Sequence, residues 1–286
     1  MIRNLKEKKE FWRHPRFPDL GLLKARFTSH RYDRHTHPTY VIALITAGAE
    51  RVRIGRESVV APAGSLIVVN PEEWHDGEAG GDDGWSYRTF YPQVEFMAGV
   101  AAEFGITDAP VFRRAVINDP KLAQAMALAH QSSETDDVPA AEEAILVALR
   151  YLILRNAGHT QRPETIERSG SRRRLTVYEE YIEDNLGSEL DLQHLARTAG
   201  ITRFQVIRDF NKVLGITPAA FIRDRRLRRA NRFIEAGSSL ADAAIQAGFA
   251  DQSHLSRVFR AAHGFTPGML KRAGSSFDEP FVPGNR

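Results

Sequence analysis

The chain contains no cysteine. Disulfides, thiolate metal sites and cysteine nucleophiles are excluded, and the composition fits a reducing compartment. No apolar run approaches the ~18–20 residues that a membrane helix needs. The first residues, MIRNLKEKKE, are charged and lack the apolar stretch of a secretory signal. No phosphate loop, dinucleotide fingerprint or Ser-His-Asp arrangement is visible. The acidic pairs Glu72-Glu73 and Asp82-Asp83 sit in polar, loop-like surroundings and read as solvated surface. What is present is ordinary globular material, 286 residues with 42% hydrophobic and 26% charged, enough for about two domains. The expectation is a cytoplasmic protein that does not engage a membrane and is not an enzyme.

The net charge of +3 conceals an asymmetry. Residues 1–171 hold 21 Lys+Arg against 23 Asp+Glu, whereas residues 172–274 hold 17 against 11. Of those 17 cations, 15 are arginine. Arginine suits planar, bidentate recognition of phosphate or guanine. A solvated arginine-rich helical surface accounts for the charge alone equally well.

Residues 28–92 read as β structure. Val- and Ile-rich runs at 39–48, 50–55, 57–62 and 65–70 are separated by turn signals such as Ala47-Gly48, Gly55 and Ala63-Gly64, and 85–91 adds another strand. Short strands at such spacing predict a small barrel or sandwich. Residues 1–20, with Pro15 and Pro18, show no clear period. Beyond residue 118 the pattern turns helical: Asp119-Pro120 opens one segment, and 138–158 carries an apolar stripe at positions 145, 146, 149, 152 and 153. The stripe predicts packing on the β domain or a dimer contact. Residues 158–172 are polar with Gly, Pro and Ser and read as a linker; 275–286 read as a frayed tail.

The basic block repeats itself. Arg208, Phe210, Gly215, Thr217 and Pro218 recur 49 residues later as Arg257, Phe259, Gly264, Thr266 and Pro267. Each copy reads as helix–turn–helix. Asp191 is placed to cap the first helix, with Leu192, Leu195, Ala196 and Ala199 as its apolar face; Thr202 with Gln205 forms a capping box for the second. In the other copy Ser239 with Asp242 and then Asp251 fill these roles. A short helix braced against a second one is the arrangement that lays a helix in a major groove. Polar side chains able to reach base edges are Arg203, Gln205, Arg208 and Asn211 in the first copy and Gln252, Ser253, His254, Ser256 and Arg257 in the second.

The second copy, AAIQAGFADQSHLSRVFRAAHGFTP, together with the upstream repeat, closely resembles the DNA-binding domain of the AraC/XylS family of bacterial transcription regulators. The resemblance covers 172–273. It implies seven helices, two helix–turn–helix units joined by one long helix, and base-facing positions at Phe204, Ile207 and Arg208 and at Gln252, Ser253, His254, Ser256 and Arg257. Phe204 and Ile207 are apolar where several members are polar, which shifts weight there to thymine-methyl contact or shape readout.

The β-rich half, over about residues 25–92, resembles the cupin-type sensory domain of the same family, through RHTHPTY at 34–40 and Asn70-Pro71 with Trp74-His75. By resemblance His35, His37 and His75 sit where catalytic cupins hold a metal. The accompanying Glu is missing, because Tyr40, Val41, Ile42 and Ala43 fill its place. No metal or cofactor is therefore expected, and the three histidines are assigned to an effector pocket. At i, i+2 spacing His35 and His37 would share one strand face, as would Trp85 and Tyr87, which fall near pocket-lining positions of sugar-binding members.

The fold expected is α+β in two domains: a cupin-like β-barrel with helices over 1–157, and an all-α bundle with two helix–turn–helix units over 173–274. The function expected is promoter-specific DNA binding controlled by an unidentified small effector, by a homodimer that contacts RNA polymerase. The alternatives are control by a protein partner, or a metal-dependent cupin enzyme joined to a DNA-binding domain.

Overall fold

The runs predicted as separate strands at 39–48 and 50–55 form one strand, β3 (Val41–Ile54). Ala47-Gly48 is a bulge and not a turn: the pairing with the neighbouring strand shifts between Ile45 and Ala47. Gly48 has φ +66, and a Cβ there would collide with the carbonyl oxygen of Gly84, so only glycine fits this bulge. The bend lets one strand serve two ladders.

The computed structural model describes residues 7–135, 137–158, 170–188, 190, 192–198 and 200–275. The chain divides into two units, built chiefly on Thr36–Thr160 and on Gln161–Gly268. In the first, β1 (Lys8–His14), β2 (Phe17–Phe27), β3, β4 (Glu57–Pro62), β5 (Leu66–Val69), β6 (His75–Ala79) and β7 (Trp85–Pro92) precede α1 (Val94–Ala102). The two-residue strands β8 (Val111–Phe112) and β9 (Val116–Ile117), then α2 (Pro120–Ser132), α3 (Val138–Asn156) and β10 (Ala157–Gly158) follow.

Among the described residues the main sheet runs β1-β2-β7-β3-β5-β9, with β4 and β6 paired to the far half of β3. Its path does not close, so the expected barrel is an open, bent sheet. The strands β1 and β2 carry the segment in which no period was legible. Leu20, Leu22 and Leu23 are all fully buried, because β2 is covered on both faces and shows no alternation.

The sheet has two working faces. On one, Leu22, Ile42, Leu44 and Phe90 join the core formed with Met126, Ile145, Leu149 and Leu152. Asp119 caps α2 by accepting from the backbone N–H groups of Lys121 (3.0 Å) and Leu122 (3.2 Å), and Pro120 fits the first turn. Four of the five stripe residues on α3 are thus buried in their own domain: Ile145, Leu149, Leu152 and Ile153. Truncating one, as in Leu149→Ala, costs about 2–5 kcal/mol. The apolar residues that α3 does present outward are Val147 and Leu154, with Leu128 on α2. The other sheet face carries Leu23, Ala25 and Phe27 of β2 beside Trp85, Tyr87 and Thr89 of β7, register partners such as Ala25↔Tyr87 and Leu23↔Thr89.

From Gly170 onward the described residues form seven helices: α4 (Gly170–Asp184), α5 (Leu192–Thr198), α6 (Arg203–Val213), α7 (Pro218–Glu235), α8 (Leu240–Gln246), α9 (Gln252–His263) and α10 (Pro267–Ser275). Residues 170–172, read as the end of a linker, open α4. The predicted cap Asp191 and the apolar Ala199 lie outside the described residues, as do 159–169 of the linker and 276–286 of the tail. The other N-cap bonds form, although the Gln205 side chain turns to Asp209 and does not close the predicted box. Thr202 accepts from Gln205 N–H (3.3 Å), Ser239 from Asp242 N–H (3.1 Å) and Asp251 from His254 N–H (2.7 Å).

The helix α7 is the spine between the two helix–turn–helix units. Phe221, Leu227, Ala230 and Ile234 are its buried stripe. Its arginines are less available than their number suggests. Arg226 donates to the carbonyls of Leu186 (3.0 Å) and Ser188 (2.8 Å), Arg225 pairs with Glu183 and Arg228 with Asp224. Arg223 and Arg232 are exposed. Gly248, in the turn before α9, has φ +86, and a Cβ there would strike the Leu186 carbonyl and the Arg226 guanidinium. That glycine therefore lets the turn close on the α4 end.

Candidate functional site

The helices α6 and α9 present matching outward faces. Arg203, Phe204, Arg208 and Asn211 are exposed and Ile207 half-buried; 49 residues on, Gln252, Ser253, Arg257 and Arg260 are exposed and Ser256 half-buried. The inward faces match too, with Val206 and Phe210 buried in one and Leu255 and Phe259 in the other. Phe204 is 74% exposed, a large apolar group with no core to serve and well suited to a thymine methyl. Arg260 was not singled out in the sequence, although its offset from Asn211 marks it.

Two predicted readers are turned toward the protein. Gln205 donates its amide to Asp209 (2.8 Å) and accepts from Arg208 (2.9 Å). His254, at the equivalent position, packs edge-on against Phe249 at 5.3 Å between ring centroids. Asp209 is 1% exposed and is gripped by Arg174 through Nε (2.7 Å) and Nη2 (2.8 Å) and by the Tyr178 hydroxyl (3.0 Å). Burial pulls its carboxyl pKa upward, but donors from Arg174, Gln205, Ser171 and Tyr178 outweigh that and hold it at about 2. Burial and the bond to Asp209 push the Tyr178 hydroxyl up to about 12. A relay Arg174–Asp209–Gln205–Arg208 thus aims one exposed guanidinium from a buried anchor.

In the sheet-rich unit Trp85 and Tyr87 share a face, their rings 6.4 Å apart and nearly parallel. The ring of Phe27 lies 5.4 Å from Trp85 and 6.0 Å from Tyr87. The hydroxyls of Tyr32 and Tyr87 are hydrogen-bonded to each other. The period-two row continues past the predicted pair to Thr89 and Tyr91. His35 and His37 do not share a strand face as expected, because residues 36–40 are irregular, whereas His75 opens β6. Pro38 lies in this stretch and lacks the N–H a ladder needs. His37 lies 5.2 Å from His75 and 5.4 Å from Tyr91, ring to ring. Nδ1 of His35 is 2.7 Å from the Asp33 carbonyl and Nδ1 of His75 is 2.9 Å from that of Glu73.

The sequence reading missed Glu50. It follows the bulge in β3 at the same inward parity as Val52 and Ile54, which was the available signal. Glu50 is 8% exposed, and burial pushes its carboxyl up to about 8. It is close enough to raise the phenol pKa values of Tyr32, Tyr87 and Tyr91, on top of their own burial.

A bent sheet with an aromatic, polar-centred inner face, followed by a paired helix–turn–helix unit, defines a DNA-binding regulator with a ligand-binding domain. Residues 17–150 match the AraC-like ligand binding domain and residues 195–273 a helix-turn-helix domain. The chain belongs to the AraC/XylS family of transcription regulators. It is 27% identical over 242 residues to the HTH-type transcriptional regulator YbfI of Bacillus subtilis, covering 83% of this chain and 87% of that one. It is 24% identical over 158 residues to the HTH-type transcriptional activator RhaS of Escherichia coli, 55% of each chain. The fold is shared with apo ToxT of Vibrio cholerae, with a TM-score of 0.52 at 11% identity over 94% of this chain and 97% of that one. A ToxT structure with bound unsaturated fatty acid aligns at a TM-score of 0.50 and 12% identity, over 94% and 95% of the two chains.

Proposed function

We propose that the protein reads a two-part promoter site with Arg203, Phe204, Ile207 and Arg208 on α6 and Gln252, Ser253, Ser256 and Arg257 on α9, and that a small effector on the inner sheet face biases this binding. The carrying observation is the paired exposure: the same offsets are bare on two helices whose intervening positions are buried. Gln205 and His254 support the readers from behind. Trp85 and Tyr87 form the stacking floor of the effector site, with His37 and His75 at its Tyr91 end. An effector that binds one state of the protein better shifts the population toward it. That ToxT is known with a bound fatty acid supports control by a small molecule in this fold. The regulator acts in the cytoplasm, contacts RNA polymerase, has no catalytic activity, and dimerises through the outward Val147 and Leu154.

The test is selection of bound sequences from a random duplex pool by the full chain. Two enriched half-sites centred about one helical turn, ~34 Å, apart are expected; a single short motif, or none, would remove the two-part reading. A small molecule that alters affinity for the selected site should lose that effect in Trp85→Ala, with affinity in its absence unchanged. A retained effect would move the effector elsewhere.

A further inference from the structure

The inner sheet face holds polar groups that the protein itself leaves unsatisfied. Glu50 is more than nine-tenths buried, and no hydrogen bond or ion pair to its carboxylate is found among the described residues. Its oxygen lies against the Cα of Gly77, where a Cβ would collide with it, and Tyr32 flanks the same spot. Trp85 is 1% exposed, and its indole N–H has no hydrogen-bond partner. A buried carboxylate without a partner is costly unless something supplies one. The surroundings are aromatic: Phe27, Tyr32, Tyr87 and Trp85 are mutually in ring contact. The hydroxyls of Tyr32 and Tyr87 are hydrogen-bonded to each other, and the lining around Glu50 is mainly aromatic ring. Phe27 already faces one ammonium, Lys9 Nζ at 5.5 Å from its centroid. A carboxyl that gives up its proton when a cation arrives, set among π faces, is the chemistry that holds a desolvated cation.

Resting on the effector-pocket reading above, we propose that this face binds a small organic ammonium ion, its charged nitrogen on Glu50 within the rings of Phe27, Tyr32, Tyr87 and Trp85. An acceptor on the same ligand, such as a hydroxyl, takes the Trp85 N–H. A neutral polyol would instead need several amide or charged groups to fix its hydroxyls.

The test uses the full chain and four probes: tetramethylammonium, (2-hydroxyethyl)trimethylammonium, the neutral isostere 3,3-dimethylbutan-1-ol, and xylitol. Binding is followed by calorimetry and by the rise in unfolding temperature. The two cations are expected to bind saturably and the neutral isostere about tenfold more weakly or less. Glu50→Gln keeps the shape and removes the charge; it should fold at least as stably and lose about tenfold or more in cation affinity. Trp85→Phe keeps a ring but removes the N–H, and should weaken the hydroxyl-bearing cation more than tetramethylammonium. Equal binding of cation and isostere, undiminished cation affinity in Glu50→Gln, or no cation binding at about 10 mM would each overturn the proposal. Stabilisation by xylitol that Trp85→Phe weakens would retire the cation while leaving the effector pocket standing. If all probes are silent the cation is likewise retired, and the pocket itself is decided by the Trp85→Ala effect on DNA affinity.

Discussion

Replacing Asp209 by Asn removes one negative charge from the base of the first helix–turn–helix unit with almost no change of shape. Its carboxyl is held at about 2, well below an ordinary aspartate, which favours the ionised form by roughly 2–3 kcal/mol. Asn also points an N–H₂ at donors from Arg174 or Tyr178, adding a conflict. Arg174, whose side chain is 34% exposed, regains water when released, so part of the loss is offset. The net expectation is about 2–3 kcal/mol, or about 10–20 °C for a unit near 100 residues. The sign with pH follows from the depressed pKa. The stabilisation is complete above about pH 4 and disappears as pH falls through about 2, where wild type and variant should converge. The assay has an internal control. The tryptophans Trp12, Trp74 and Trp85 all lie in the sheet-rich unit, so their fluorescence follows that unit, while far-ultraviolet circular dichroism also reports the helical one. Asp209→Asn should shift the dichroism transition and leave the fluorescence transition in place. At the DNA, Gln205 loses its anchor and Arg208 its fixed aim, so preference should flatten in one half-site only. Superimposable dichroism curves at neutral pH, or intact preference in both half-sites, would refute the relay.

Arg257→Ala should relax preference at one or two positions of the other half-site and cost about 1–3 kcal/mol there; competition against random DNA measures it, and equal losses on both would return Arg257 to a phosphate role. Ala230→Pro places a ring in the buried centre of α7, removes a backbone donor and costs about 3 kcal/mol or more. Since α7 spans about 27 Å at ~1.5 Å per residue, footprinting of the folded variant should show about one helical turn protected where wild type protects about two. Val147→Asp with Leu154→Asp should leave the unfolding midpoint within about 0.5 kcal/mol and, by sedimentation, yield monomers; an unchanged dimer would place the contact elsewhere.

Much of the helical half was legible in the sequence. Its caps use Thr, Ser and Asp in a short-range code, and the offset of 49 makes each copy a check on the other. What was not legible there depends on rotamers: Gln205 turns inward to Asp209 one helical turn away because Arg174, 35 residues earlier, anchors that carboxylate, and Arg226 reaches the Leu186 carbonyl 40 residues away. The sheet half was harder for a physical reason. Doubly covered strands such as β2 lose alternation, and a bulge such as Ala47-Gly48 carries the same residues as a turn. The row Trp85, Tyr87, Thr89, Tyr91 was half read, and Glu50 went unnoticed because its inward parity is fixed only once the bulge is known.

The contact of Gly48 with Gly84 bears on how this binding face can be remade. A Cβ on Gly84 would in turn strike the Phe27 carbonyl, so β3, the entry to β7 and the end of β2 meet backbone on backbone. The strands bearing Glu50, Trp85 and Phe27 are spaced there by main chain, with no side chain between them to shrink or swell. Anyone retuning this sensor to a new ligand should find the aperture at that end fixed, and substitutions at either glycine lost to misfolding before they alter selectivity. Specificity would have to be redrawn at Ala25, Tyr87 and Thr89, where side chains alone set the width.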